Sequence, residues 1–189
     1  MRIIGLLLLA TSAWGADYVI DGAHSNAGFT ARHMMVTNVQ GRFAKLTGKI
    51  SYDPKNLAAA KVEATIDATS IDTQQAKRDD HLKSPDFFDV AKFPTISFRS
   101  TKWQAAGAGK LKVTGDLTIH GVTKSVTLDM TTPAPEVKGM GGGFVTGATA
   151  TTKINRKDFG LTWSKLMDTG GAVVGDEISI TLDIEATRN

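Results

Sequence analysis

The chain has no cysteine among its 189 residues, so disulfides, thiolate metal sites and thiol redox chemistry are all excluded. It is also poor in long hydrophobic runs. The longest clean one, Ile3 to Ala10, is about half of the roughly 20 residues that a membrane-spanning helix requires. Charge of one sign is lacking too: 22 Lys and Arg face 19 Asp and Glu, a formal net charge of +3. The cations are spread singly rather than gathered into a stripe, which argues against a nucleic-acid partner. There is no GxGxxG, no phosphate-binding Lys loop, no GxSxG elbow and no HExxH or HxH pair, so nucleotide, acyl-transfer and zinc-protease readings find no foothold. The run Met140-Gly141-Gly142-Gly143 leads into a strand and reads as a flexible connection.

What is present begins with an expected export signal. Arg2, the apolar run and the small-x-small site Ala13-Trp14-Gly15 make residues 1–15 a cleavable leader, which places the mature domain at 16–189 and in the periplasm. Beyond it, period-2 alternation recurs. Ile178, Ile180, Leu182, Ile184 and Ala186 alternate with Glu177, Ser179, Thr181, Asp183 and Glu185, a pattern that a strand resolves into a dry face and a wet face. Similar segments start at Ala27, Leu46, Val62, Ile96, Leu111, Val126 and Phe144, making about eight strands separated by turn formers such as Asp53-Pro54 and His120-Gly121. The polar parity carries Lys61, Glu63, Asp67, Asp183 and Glu185. Those charges would be costly facing lipid, so the apolar face points inward. The expected fold is all-β, an extended antiparallel lipocalin-like barrel of about eight strands, because closure removes the open edges. One insertion breaks the pattern: Thr73 to Leu82 reads as helical, and Ser84-Pro85 has the start signature of a second short helix carrying Phe87 and Phe88.

The inward parity is small in volume. Ala27, Ala31, Gly48, Ala64, Ala68 and Gly115 stand where a filled core would prefer larger side chains, and eight strands is the size at which a barrel is either just filled or holds one small ligand. Two interiors follow, a hollow apolar one or a flattened one whose walls meet. In the hollow case Phe29, Phe43, Ile66, Phe98, Leu117, Ile119, Ile180 and Leu182 would offer hydrocarbon contact to a long alkyl or prenyl chain.

The motifs Asp21-x-x-His24-Ser25, Phe29-x-x-x-His33-Met34-x-Val36-x-x-Val39-x-Gly41-x-Phe43 and Arg78-Asp79-x-His81-Leu82-x-Ser84-x-Asp86-Phe87-Phe88-Asp89 resemble the YceI-like family of bacterial lipid- and polyisoprenoid-binding proteins. Phe93-Pro94-x-Ile96, Gly115-Asp116-Leu117-Thr118-Ile119-x-Gly121 and Arg156-x-Asp158-Phe159-Gly160 extend the likeness over nearly the whole mature chain, with Tyr18 where that family commonly has Trp. The resemblance implies a periplasmic barrel carrying an isoprenoid or other long-chain amphiphile, of the quinone or polyprenyl phosphate class. It implies no cofactor besides that lipid, and is compatible with transient membrane contact and with a homodimer.

The polar residues divide between structure and ligand. Arg78-Asp79, Asp116 and Arg156-Asp158 are expected to tie loops to the barrel ends by charge-assisted hydrogen bonds. Alternatively Arg78, His81 or His33 meets the polar head of an amphiphile at the mouth, with Phe87 and Phe88 split between core and pocket. An enzyme built on His24 or His81 with Ser25 or Ser84, and a zinc site built on the four histidines, are the disfavoured readings. A non-catalytic envelope interaction module with a packed interior is the alternative to the lipid carrier.

Overall fold

The computed structural model describes residues 16–168 and 170–189; the expected leader lies outside them. In chain order the strands are β1 (Ala16–Ile20), β2 (Asn26–His33), β3 (Thr37–Phe43), β4 (Leu46–Tyr52), β5 (Lys61–Asp67) and β6 (Ile71–Asp72). After helix α1 (Ala76–Lys83) come β7 (Thr95–Ala105), β8 (Lys110–Ile119), β9 (Val122–Thr131), β10 (Val137–Lys138), β11 (Phe144–Asn155) and β12 (Val174–Arg188). Strand β8 shows the alternation at work: Leu111, Val113, Gly115, Leu117 and Ile119 are buried while Lys110, Lys112 and Asp116 face solvent.

Twelve strand segments make eight staves. β1 and β2 lie end to end along β12, with Ile20 opposite Ala186 and Asn26 opposite Asp183. β3 and β4 continue one another as the next stave, β3 paired with β2 and β4 with β1. β5 pairs with β4 and β6 with β3, so the third stave is bent in the same way. Then β7, β8, β9, β11 and β12 follow in order, and β12 returns to the first stave to close the ring. The β9–β11 seam has only two backbone-paired positions, Ala150↔Met130 and Thr151↔Asp129. Thr152 Oγ1 donating to the Thr127 carbonyl, 2.9 Å, and Thr149 N donating to Thr131 Oγ1, 3.0 Å, supplement it.

The connections sort by end. At one end, the strap end, lie residues 53–60, the 105–110 turn, the 132–143 strap, the start of β1 at Ala16 and the C-terminus. At the other, the loop end, lie the β2–β3 hairpin tip, α1 and the segment up to Pro94, the 120–121 turn and the loop after β11.

Two local expectations are corrected. The segment after Ser84 is a run of tight turns, not a second helix. Ser84 Oγ returns to the His81 carbonyl at 2.8 Å, Phe87 N and Asp89 N both donate to the Ser84 carbonyl, and Asp89 sits at φ +42°. The glycines on the inward parity do not make the hollow. A Cβ on Gly115 would lie 2.5 Å from the Phe98 ring, one on Gly41 would collide with the Phe29 ring, and one on Gly48 would meet the Glu63 carbonyl and the Ile20 side chain, so these glycines are seats for close-packed neighbours rather than voids.

Candidate binding cavity

A cavity of about 250 Å³ runs within the barrel. The alanines make the room: Ala27, Ala31, Ala64, Ala148, Ala150 and Ala186 all face it. Of the residues expected to meet a ligand, Phe29, Phe43, Ile66, Phe98, Leu117, Ile119, Ile180 and Leu182 line the wall, and Phe87 and Phe88 contribute from the loop end. Both phenylalanines reach the cavity, from different supports. Phe88 meets Phe43 edge-on at 5.7 Å, while buried Phe87 packs against Trp163 at 5.1 Å and His81 at 5.0 Å.

The three polar candidates do not line the cavity. The Arg78 guanidinium is turned back onto its own segment, Nε donating to Thr73 Oγ1 and a terminal nitrogen to the Thr73 carbonyl, each at 2.7 Å. Asp79 accepts from Thr73 N at 2.9 Å, so this pair secures the start of α1. His81 is held between Phe87 and Trp163 with Nε2 3.0 Å from Asp86 Oδ2. His33 ends β2 opposite Thr37, outside the lining. Of the expected ties, Asp116 and Asp158 are exposed on the surface.

Arg156 was assigned to structure, and its geometry shows why. It is 3 % exposed and spends all five N–H donors on the protein: the carbonyls of Gly175, Leu161, Trp163 and Val174, and Asp176 Oδ1 at 3.0 Å. Val174, Gly175 and Asp176 lie where β12 carries two extra residues between Val174 and Ile178, and Leu161 and Trp163 lie on the loop before it, so one planar cation joins the bulge to that loop through their carbonyls. Hydrogen bonding from Lys157, ahead of the charges of Lys157 and Arg156, holds the Asp176 carboxyl below its ordinary range.

Alternation alone missed the aromatic groups at the strap end. Trp103 is buried against Tyr52, 5.8 Å between rings. On β7 the inward positions are Ile96 and Phe98, yet beyond them Trp103 also points in, because the register slips between Ser100 and Lys102 and flips the parity. Ser100 Oγ stitches the bulge, accepting from Trp103 Nε1 at 3.0 Å and from Val62 N at 2.9 Å. Tyr18 lines the cavity from β1, and its hydroxyl donates to Glu136 Oε1 at 2.6 Å. Glu136 also takes both arms of Arg188, at 2.6 and 2.8 Å, and Arg188 lies 4.4 Å over the Phe144 ring. This clamp joins the first strand, the strap and the last strand. The Arg188 hydrogen bonds, then that of Tyr18, bring the Glu136 carboxyl down to about 2, and burial, then Glu136, pushes the Tyr18 phenol up.

The other sequence-marked groups serve the backbone. Ser25 Oγ bridges to Glu185, accepting from its N at 3.0 Å and donating to its carbonyl, and Ser84 caps α1. His24 Nδ1 is 2.8 Å from Asp21 Oδ2 and 3.5 Å from Glu185 Oε1, whereas His120 stacks on Phe93 at 4.4 Å.

An antiparallel barrel enclosing an apolar cavity, with the one cation that lines it among the described residues internally satisfied, defines a calyx-type architecture. Comparison with known proteins agrees: residues 18–186 match the YceI-like domain, and the chain belongs to that family. A UPF0312 protein of Shewanella denitrificans is 40 % identical over 179 residues, covering 94 % of this chain and 91 % of the relative. One from Vibrio cholerae is 39 % identical over 165 residues, covering 84 % and 85 %. Among solved structures, Burkholderia cenocepacia BcnA matches with a TM-score of 0.76 at 28 % identity, covering 89 % of this chain and 99 % of its own. The Campylobacter jejuni YCEI protein matches with 0.70 at 32 %, covering 83 % and 89 %. A polyisoprenoid-binding domain from Saccharophagus degradans shares the fold, TM-score 0.67, at 15 % identity over 91 % of this chain and 98 % of its own.

Proposed function

We propose that this protein is a non-enzymatic carrier that sequesters a long-chain isoprenoid or similar lipid in the barrel, exported by its leader and working in the periplasm. The observation that carries the reading is a cavity bounded almost entirely by hydrocarbon. At roughly 24 cal/mol per Å³, leaving about 250 Å³ of apolar space empty would forgo about 6 kcal/mol. That approaches the whole net stability of an ordinary domain, about 5–15 kcal/mol, so a filled cavity is the favourable state. A solidly packed interaction module would have no use for such a space. The polyisoprenoid named for the Saccharophagus domain is a ligand of the kind this interior suits.

The charges sharpen the head group. Among the described residues no Lys lines the cavity, and the one Arg that does has no donor left over. A prenyl phosphate would bury its charge without a partner, which is prohibitive. The wall itself exposes almost no polar atom, so a neutral head is the one it can hold at least cost. The reading is therefore a neutral-headed chain of the quinone class. Solvent extraction of the purified protein followed by mass spectrometry is expected to release one such lipid per chain. Ala148→Trp, which fills open space, and Leu117→Lys, which charges the wall, are each expected to abolish it. Full lipid content in both variants would overturn the proposal.

A further inference from the structure

The β2–β3 hairpin turns on two residues, Met34 and Met35, at φ +50° and +60°, closed by Val36 N donating to the His33 carbonyl at 3.0 Å. That left-handed pair is the geometry for which Asn-Gly is strongly favoured, and two methionines there strain the backbone. Nor does the strain serve packing: Met34 is 44 %, Met35 60 % and Val36 76 % exposed. Beside the tip lies the loop of residues 161–168 and 170–173. It is docked by Met34 N donating to the Val173 carbonyl, 2.8 Å, and closed on itself by Val173 N donating to the Lys165 carbonyl, 2.9 Å, with Leu166 74 % exposed. Gly171 lies between the side chains of Met35 and Met167. The same loop carries Trp163, which packs on Phe87 and His81 at the loop end of the cavity.

Two cations border this patch without a carboxylate partner among the described residues, Arg32 and Lys165. Arg32 reaches only the Asn38 side chain and the Met35 carbonyl, and Asp168 is the sole acid on residues 161–173. Four exposed apolar side chains are far short of the roughly 20 to 30 residues that a stable protein partner covers. A protruding apolar tip with cations at its base instead has the form of an interfacial anchor. From this juxtaposition we infer that the Met34–Val36 tip and Leu166 dock the loop end of the barrel onto an anionic phospholipid surface, where the cavity exchanges its lipid. The inference rests on the carrier reading for its purpose but not for its test.

The full chain is to be sedimented with vesicles of phosphatidylcholine, alone or mixed with phosphatidylglycerol, while loading of a short-tailed isoprenoid quinone, read by quenching of tryptophan fluorescence, is measured separately in vesicle-free solution. Wild type is expected to bind the anionic vesicles. Met34→Asn/Met35→Gly, which supplies the favoured turn, is expected to weaken that binding about tenfold by removing apolar contact while raising Tm by about 2–4 °C. Lys165→Ala is expected to weaken it about fivefold, and neither variant to change loading in solution. Wild type that ignores both vesicles, or a tip variant that binds as well as wild type, overturns the docking. Wild type that binds vesicles but loads nothing supports the docking and overturns the carrier reading instead.

Discussion

The two ends of the barrel are closed by different means. At the strap end the closure is built into the wall: Trp103 and Tyr18 come from strands, and the Tyr18–Glu136–Arg188 clamp fastens first strand, strap and last strand together. At the loop end Phe87, His81 and Trp163 come from segments outside the sheet, held to one another edge-on or tilted and to the barrel by Arg156. Strand-borne groups cannot move without breaking ladder bonds, whereas loop-borne groups can. The difference teaches that one end is anchored in the ladder itself, while the other is held by side-chain packing and a single arginine.

The sharpest way to break this comparison is at Arg156. Arg156→Met keeps the volume but strands the carbonyls of Gly175, Leu161, Trp163 and Val174. A loss of about 3–5 kcal/mol is expected in urea unfolding, together with disorder confined to the loop end in hydrogen exchange. Equal loss of protection at the strap end would show that the two ends are one unit. Trp163→Ala, at a half-buried site, is expected to lower stability by only about 2 kcal/mol while speeding lipid release severalfold. Trp103→Phe at the other end should leave release unchanged, and stopped-flow transfer to vesicles compares the two.

The smallest effect concerns pH at the strap end. The Glu136 carboxyl sits at about 2 in the fold against an ordinary 4.5, so its contribution is complete above the unfolded value and fades as pH falls from there toward 2. The raised Tyr18 phenol behaves oppositely: its contribution is complete below its ordinary 10.0 and is lost as pH rises through the folded value. Glu136→Gln is therefore expected to flatten the acid limb of the stability profile, followed by Trp103 fluorescence, without altering loop-end exchange.

Much of the wall was legible because alternation is local. Ile178 through Ala186 and Leu111 through Ile119 face inward as the period predicts. Trp103 was illegible because a single extra residue on β7 flips its face, and the signal, Ser100 beneath an indole, exists only after folding. Arg78, His81 and His33 show the converse. Their chemistry suggested a head-group site, yet each finds its partners in neighbouring residues or stands outside the lining.

By itself the sequence determined the class of the fold and which faces are dry, since the pleat assigns every second side chain to one side whatever its partners. Tertiary structure alone decided how much of the dry interior stays open. Whether a glycine is a void or a seat depends on the ring that crosses from the same or a neighbouring stave, as Phe98 does over Gly115. It also decided which cations are spent, because the carbonyls that satisfy Arg156 come from segments 5 to 19 residues away that only the closed barrel brings together.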